Sequence, residues 1–548
     1  MLTLTRDGSM RRLLPSLFSF VLLVAPLQAH DGDHTHSPVA AVKPAALYQP
    51  TAMPDRIVLT WTGDPTSTQA VTWRTSTEVE VGLAEIAVAD GGPNFGENAK
   101  KFTAKSQALK TDLNTAHFHS VNFTELDPGT RYAYRVGDGT NWSEWFQFST
   151  AAAEHEPFSF IYFGDAQNDL RSRWSRVIRE AYRDAPKAAF LLHAGDLVNR
   201  AEADREWGEW CGAGAWLNAM MPSVAIPGNH EQAREESGAR RLSHHWRPQF
   251  AFPENGPKGL EESCYTLVYH NLRIIGMNTN TMLEEQAVWL DEVLSENESQ
   301  WVVCTFHHPI YSTGKSRDNA EIRALWKPIF DKHKVDLVLQ GHDHTYGRTG
   351  FDVPDELDSE EKVPAKTASP KLDADSAGDR DIENVPTGVQ VVDEEHGTIY
   401  VVSVSGPKMY DNSRYKFMKR LAEDTQLYQI IHIDDDVLRF EARTAVGELY
   451  DAFELKKQAG SINKLVELEP EVKEVLRPAV TDKELTKTSV GKLIIASADK
   501  NGDGFLTEEE VPEENRGGFP EADKNRDGKL SAEEIDAAIE AAKAAAGQ

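Results

Sequence analysis

Cysteine is scarce. Cys211, Cys264 and Cys304 are the only three in 548 residues, too few for a disulfide framework. Cys304 lies in an apolar run and reads as a buried thiol, while a Cys211–Cys264 pairing stays open. Basic residues are also short, with 58 Lys and Arg against 87 Asp and Glu and a net charge of -29. This balance argues against nucleic acid as the main partner, because a phosphate backbone needs a Lys/Arg surface. It suits a calcium-binding or extracellular protein instead. Long hydrophobic runs are missing except near the N-terminus. There Arg11 and Arg12 precede an apolar segment, 13–27, that ends at Gln28-Ala29. That is the layout of a secretory signal over residues 1–29. The segment contains Pro15 and Pro26 and falls short of the ~20 residues a membrane span needs. The expectation is therefore an exported protein with no transmembrane segment after cleavage. A chain this long exceeds a single core, so several domains are expected.

Residues 30–48 begin His30-Asp31-Gly32-Asp33-His34-Thr35-His36 and continue into Ala and Pro. They read as a flexible His-rich segment with at most weak metal affinity. Residues 49–150 look all-β. Alternating runs at 56–61 and 69–73 flank Gly63-Asp64-Pro65, further strands are expected at 117–123 and 132–136, and Trp142, Trp145 and Phe148 supply bulk for a sandwich. Within it, Leu126-Asp127-Pro128-Gly129-Thr130-Arg131-Tyr132 resembles a fibronectin type III domain. From residue 157 to 457 strands alternate with helical stretches, predicting an α/β sandwich of mixed sheets with flanking helices. An acidic stretch poor in apolar residues, 352–395, reads as a solvated insertion, and 458–488 reads as a charged linker.

Residues 489–548 predict an α-helical EF-hand pair. In the first loop Asp499, Asn501, Asp503, the backbone of Phe505, Thr507 and Glu510 occupy the calcium-ligand positions. In the second, Asp523, Asn525, Asp527, the backbone of Lys529, Ser531 and Glu534 repeat them. Gly504 and Gly528 sit where the loop must turn. Calcium is the implied ion, more as a stabiliser than as a switch.

The chemistry gathers where apolar runs stop. The run 188–192 leads into Ala194-Gly195-Asp196, which places a carboxylate at a strand's carboxyl end, where open α/β sheets keep their sites. Similar ends recur at Gly164-Asp165, Gly228-Asn229-His230-Glu231, His307-His308-Pro309 and Gly341-His342-Asp343-His344. One such residue is more often a loop Asp or a satisfied core His; five in one domain point to a metal centre. Mixed oxygen and imidazole donors suit Zn, Fe or Mn rather than calcium. In an extended Gly-His-Asp-His, both imidazoles would face one side.

This ordered motif set resembles the calcineurin-like metallophosphoesterases. The preceding sandwich and His344-Thr345-Tyr346-Gly347-Arg348 make it similar to the purple acid phosphatase branch. The resemblance implies a four-layer fold and one metal held by Asp165, Asp196 and His344. It implies a second held by Asp196, Asn229, His307 and His342. The pair, roughly 3.5–4 Å apart, would clamp a phosphoryl group and supply a metal-bound hydroxide. His230 would protonate the leaving oxygen or stabilise the phosphate, and Glu231 would orient a ligand or His230. His308 reads as structural. The purple enzymes carry Tyr three residues after the bridging Asp; this chain has Asn199 there, so a colourless protein is expected. Gln167 and Asn199 are further candidate oxygen ligands, and His245 and Arg247 candidate contacts to substrate. The expected function is an exported binuclear-metal phosphatase hydrolysing phosphomonoesters. A phosphodiesterase, and a calcium-dependent surface or adhesion protein with a degenerate enzyme domain, are the alternatives.

Overall fold

The computed structural model describes residues 41–235, 237–355, 357, 390–391, 397–458, 461–478, 490–498, 504–508, 510–511 and 518–545. The leader 1–29, the histidines of 30–40, most of the insertion, and Asp499, Asn501 and Asp503 lie outside the described residues.

The N-terminal module is a sandwich of two four-stranded antiparallel sheets. Strands Asp55–Thr60, Gln69–Ser76, Thr115–Phe123 and Lys105–Lys110 form one sheet. Lys100–Thr103, Leu83–Val88, Arg131–Gly137 and Phe146–Ser149 form the other. Alternate residues such as Val71, Trp73, Tyr132, Tyr134 and Phe148 meet between them. Trp142 and Trp145 do not join that core. They are half-buried and hold the Arg135 guanidinium, 4.5 and 4.7 Å from their rings. The module is fixed to the next domain by buried polar links. Arg56 binds Asp204 through two nitrogens at 2.6 and 2.9 Å, and the Tyr134 hydroxyl donates to the Ala219 carbonyl at 2.6 Å.

One buried histidine in the sandwich gives a test of its acid sensitivity. His119 lies between the hydroxyls of Thr75 and Ser106, each 2.7 Å away, and stacks on Trp73. Burial, then the neighbouring His117, lowers its pKa to about 4. The folded value is below the unfolded one, so the neutral ring's contribution is complete above pH ~6.5 and is lost as the pH falls towards 4. Acid should cost on the order of 2–3 kcal/mol through this group. Denaturant titrations at pH 7 and 4.5 should show a smaller pH effect in His119→Gln; an equal effect would refute this assignment.

The central domain has four layers. Its first sheet has eight strands in the order Ser223–Ala225, Leu191–His193, Phe158–Phe163, Leu427–Asp434, Val437–Thr444, Leu449–Lys456, Lys464–Glu467, Gln390–Val391. Its second has seven: Tyr265–Tyr269, Leu272–Gly276, Trp301–Phe306, Leu337–Gln340, Ile399–Val402, Tyr346–Thr349, Met418–Ala422. The strands facing both ways explain the unbroken apolar runs. Trp301 and Val303 enter the core between the sheets, whereas Val302, Cys304 and Phe306 pack against Leu290, Trp326 and Phe330 of the outer helices Leu283–Ser295 and Ala320–His333. Helices Ser175–Asp184 and Asp204–Gly214 contribute Val177, Ala181 and Trp207 to the inner cluster.

The domain reaches further than its sequence suggests. The expected linker 458–488 contains the strand Lys464–Glu467, which pairs with the Leu449–Lys456 strand, and a buried Leu476. Arg477 then forms ion pairs with Asp411 and Asp424. The expected insertion is also anchored at its described edges: Asp355 pairs with Lys327, and Gln390–Val391 pairs with the Lys464–Glu467 strand. Polar faces on these short segments hide their pairing. The three cysteines are all buried free thiols, so Cys211 and Cys264 are unpaired.

In the C-terminal module, helices Val490–Ala498, Phe519–Ala522 and Ala532–Ala545 surround Leu506, Phe519, Leu530 and Ile535. The two loops meet through the antiparallel pair Leu506–Thr507 and Lys529–Leu530. Among the described residues no helix is long and apolar enough to cross a membrane.

Candidate metal centre

Parallel pairing brings the five strand ends to one edge. Phe163, His193 and Ala225 stand in register, as do Phe306 and Gln340. The residues that follow each strand therefore leave the sheets together. The turns that aim them are conformationally costly. Asp196, His342 and His344 have φ of +51°, +76° and +50°, values that side chains rarely adopt and that are tolerated where a site over-determines them. The Gly-His-Asp-His segment is thus not extended. Left-handed turns, rather than strand alternation, bring its two imidazoles round.

Ligand atoms of Asp165, Asp196 and His344 lie within 4.8 Å of one another, as do those of His307, His308 and His342. The groups join through short contacts. His307 Nε2 is 3.2 Å from Asp196 Oδ2 and 3.1 Å from Asn229 Oδ1. His342 Nδ1 is 2.9 Å from the same amide oxygen. His344 Nε2 is 3.2 Å from Asp165 Oδ2. Hydrogen bonds to backbone carbonyls set the ring orientation: His307 Nδ1–H donates to Ala194 at 3.0 Å and His344 Nδ1–H to Lys408 at 2.9 Å. Both rings thereby turn Nε2 inward, as metal-binding imidazoles do.

Burial makes this cluster electrostatically expensive. It lifts Asp165 to about 7, opposed by His307 and aided by Asp196. Burial alone would lower His307, but Asp196 and Asp165 together raise it to about 10. His344 falls to about 3 through burial and the nearby Lys408, and burial with the neighbouring His307 drives His342 down as well. His307 thus lies between two buried carboxylates, 3.8 Å from Asp165 and 3.2 Å from Asp196. Asp165 Oδ2 and Gln167 Oε1 have no hydrogen-bond partner among the protein groups. An orphaned buried carboxylate oxygen beside an imidazole nitrogen fits a cation.

The loop carrying Asp196 is held by two carboxylates from elsewhere. Glu231, fully buried, accepts the backbone N–H of Asp196, Leu197 and Val198 at 2.9, 2.8 and 3.2 Å. Glu206 accepts those of Asn199 and Arg200, both at 2.8 Å. Five successive donors are satisfied, which fixes the strained turn. Burial, then Asp196, raises Glu231 to about 8. Glu206 lies two residues after Asp204, the residue clamped by Arg56, so the sandwich braces this loop at one remove.

The remaining candidates fall into distinct places. Gln167 Nε2 is 2.8 Å from Asp196 Oδ2 and 3.1 Å from His344 Nε2, within the cluster. Asn199 reaches the site by its backbone: its carbonyl accepts His230 Nδ1–H at 2.5 Å. His230 Nε2 then points inward, 4.0 Å from Asp196 Oδ2, on a side chain 28% exposed. His308 binds the Thr279 hydroxyl through Nδ1 at 2.7 Å and packs on His342. His245 and Arg247 are engaged elsewhere. His245 is buried against Trp207 and 3.8 Å from Asp204, and Arg247 pairs with Glu262 and Glu254. These partners occupy both side chains. Asp343, between the two histidines, has a holding role that its residue type does not signal. Its Oδ2 accepts Ser312 Oγ and the backbone N–H of Thr313 and Gly314 at 2.7, 2.6 and 2.9 Å, pinning the neighbouring loop.

In the second EF-hand loop, Asp523 accepts the N–H of Arg526 and Gly528, Asp527 that of Lys529, and Glu534 that of Asn525 and the Ser531 hydroxyl. In the first, Glu510 accepts both donors of Thr507. Gly504 and Gly528 turn the two loops at φ of +83° and +80°.

The central geometry has relatives. Residues 158–346 match the calcineurin-like phosphoesterase model. They are a calcineurin-like phosphoesterase domain. Residues 54–150 match the purple acid phosphatase N-terminal domain, and 518–537 match the EF hand. An uncharacterized protein of Mycobacterium tuberculosis is 28% identical over 322 residues, covering 51% of this chain and 59% of its own. The chain thus spans well under two thirds of that relative. Acid phosphatase type 7 of Danio rerio is 28% identical over 335 residues, covering 54% and 71%. The fold of the phosphoesterase domain and its sandwich resembles the purple acid phosphatase of yellow lupin seeds, with a TM-score of 0.59, 17% identity and 74% of each chain covered.

Proposed function

We propose that this protein is an exported binuclear-metal phosphatase acting on phosphomonoesters. The observation that carries the reading is the meeting of Asp165, Asp196, Asn229, His307, His342 and His344 at one edge of two parallel strand sets. Asp165, Asp196 and His344 would hold one cation, and Asp196, Asn229, His307 and His342 the other, drawn from Zn, Fe or Mn. Gln167 stands within reach of the first. Bound there, two cations supply Lewis acidity towards a phosphoryl group and lower the pKa of water. The N-terminal sequence supports export, and the EF-hand loops support calcium as a stabilising ion.

The chain's own share of the chemistry centres on His230. Its Nδ1–H is committed to the Asn199 carbonyl, so Nε2 carries a proton only when the ring is cationic. Nε2 faces Asp196 Oδ2 at 4.0 Å. The imidazolium then gives the Nε2 proton to the departing ester oxygen. Glu231 holds the N–H groups of the Asp196 turn and keeps the bridging carboxylate aimed.

With Zn, Mn or Fe restored, the protein should hydrolyse nitrophenyl phosphate faster than bis-nitrophenyl phosphate. His230→Ala should lower kcat about 100-fold on a poor leaving group and less on nitrophenolate, the mark of a lost general acid. Faster diester cleavage by the wild type would overturn the monoester reading. An equal loss on both leaving groups would remove the acid role.

A further inference from the structure

The rim of the centre carries two cations, Arg317 and Lys408. Arg317 Nη1 donates to the His342 carbonyl at 2.8 Å and lies 3.2 Å from Asp343 Oδ1. Its side chain is one-third exposed, at 33%. The 312–314 loop engages the other oxygen, Oδ2. The guanidinium rests 5.0 Å from the ring centroid of Tyr410, and Lys408 Nζ rests 5.2 Å from the same ring. Tyr410 in turn packs on His344 at 4.7 Å. Lys408 also supplies the carbonyl that orients His344. Both cations are thus tied to the histidines of the proposed centre by backbone bonds and a shared aromatic platform.

The surrounding charge makes this placement unusual. The chain carries 29 more acidic than basic residues, yet of the acids flanking Tyr410 and Lys408 in sequence or in pairing, two are held by another arginine. Asp411 and Asp424 pair with Arg477. Lys408 is half-buried and makes no ion pair among the described residues. The guanidinium's Nε and Nη2 are not taken by its two hydrogen bonds, which both use Nη1. Fixed, partly desolvated cations with open donors recognise anions.

We infer that Arg317 and Lys408 form an anion subsite beside the metal centre, selecting phosphomonoesters that carry a second anionic group, carboxylate or phosphate, a few bonds from the ester. This deepens the phosphatase reading and rests on it for the placement of the first phosphoryl group. Neutral alkyl esters would offer no anion to the open Nε and Nη2 of Arg317 or to Lys408.

The test uses non-hydrolysable probes on the metal-loaded full chain, by calorimetry: propylphosphonate, 3-phosphonopropionate and methylenediphosphonate. The wild type should bind one or both of the doubly anionic probes about tenfold tighter than propylphosphonate, a difference of ~1.4 kcal/mol. Which of them is preferred tells carboxylate from phosphate. Arg317→Ala combined with Lys408→Ala should erase the preference. Lys408→Ala alone, whose side chain bonds to no ligand histidine, should reduce it about threefold. Equal binding of all three probes to the wild type, or a preference kept in the double variant, would overturn the subsite. A wild type that shows the preference but hydrolyses no monoester would keep the subsite and remove the phosphatase reading.

Discussion

Asp196→Asn should leave a folded protein that holds fewer than two transition-metal equivalents and hydrolyses monoesters at least 1000-fold more slowly. The substitution keeps the shape and removes the charge. Oδ1 of Asp196 accepts the His230 N–H at 2.9 Å, a bond an amide oxygen can keep. Oδ2 is 2.8 Å from Gln167 Nε2 and 3.2 Å from His307 Nε2. An amide placed there either sets its nitrogen against two nitrogens or reverses and disturbs His230. The shared carboxylate is also what stabilises cationic charge at the cluster's centre, as the rise of His307 to about 10 indicates. With a neutral group, both proposed cation positions lose their common anion. A 1000-fold loss corresponds to ~4 kcal/mol of transition-state stabilisation, within the several kcal/mol attributed to metal catalysis. Metal analysis beside phosphate-release kinetics decides it. Two retained equivalents with activity within tenfold of the wild type would show that Asp196 does not bridge.

The strand ends are legible in the sequence because each donor follows an apolar run that must be buried, and a parallel sheet has one carboxyl edge. The layer order follows from the same runs, since Trp301–Phe306 has side chains suited to a core on both faces. What stays hidden depends on partners remote in sequence. His245 follows the Gly-Asn-His-Glu segment closely, but Trp207 and Asp204 claim it. Asn199 supplies its backbone carbonyl to His230, a contribution that no residue type encodes. Glu206 and Asp343 carry no motif of their own; only the fold shows that they hold two of the loops that shape the site. Short strands such as Lys100–Thr103 and Lys464–Glu467 present charged outer faces, so their polarity mimics that of a loop. Where the alternation argument placed His342 and His344 on one side, the outcome agrees but the cause is different, because both residues sit at positive φ.

Gly341→Ala should be as damaging as losing a ligand, although glycine bears no functional group. A Cβ at 341 would stand 2.2 Å from Asp165 Oδ1, 2.9 Å from the Ala194 carbonyl oxygen and 3.2 Å from His307 Nδ1. Asp165 cannot yield easily: Oδ1 accepts the His342 N–H at 2.6 Å, and the residue is fully buried. The backbone cannot yield either, because Gly341 N–H donates to the His307 carbonyl at 3.1 Å. Relief requires moving a proposed metal ligand, so both stability and hydrolysis should fall. The stability loss should be about 3 kcal/mol, the upper part of the range for overpacking, and activity should drop at least 100-fold. Gly212→Ala is the internal control. It lies in the Asp204–Gly214 helix with nothing within 4 Å of its Cβ, so alanine should add roughly 0.5–1 kcal/mol of stability. Denaturant unfolding of both variants, with metal content and kinetics of the first, separates a local clash from a general intolerance of substitution. Wild-type activity in Gly341→Ala would mean that Asp165 has freedom to move, and its place as a fixed ligand of the first cation would have to be abandoned.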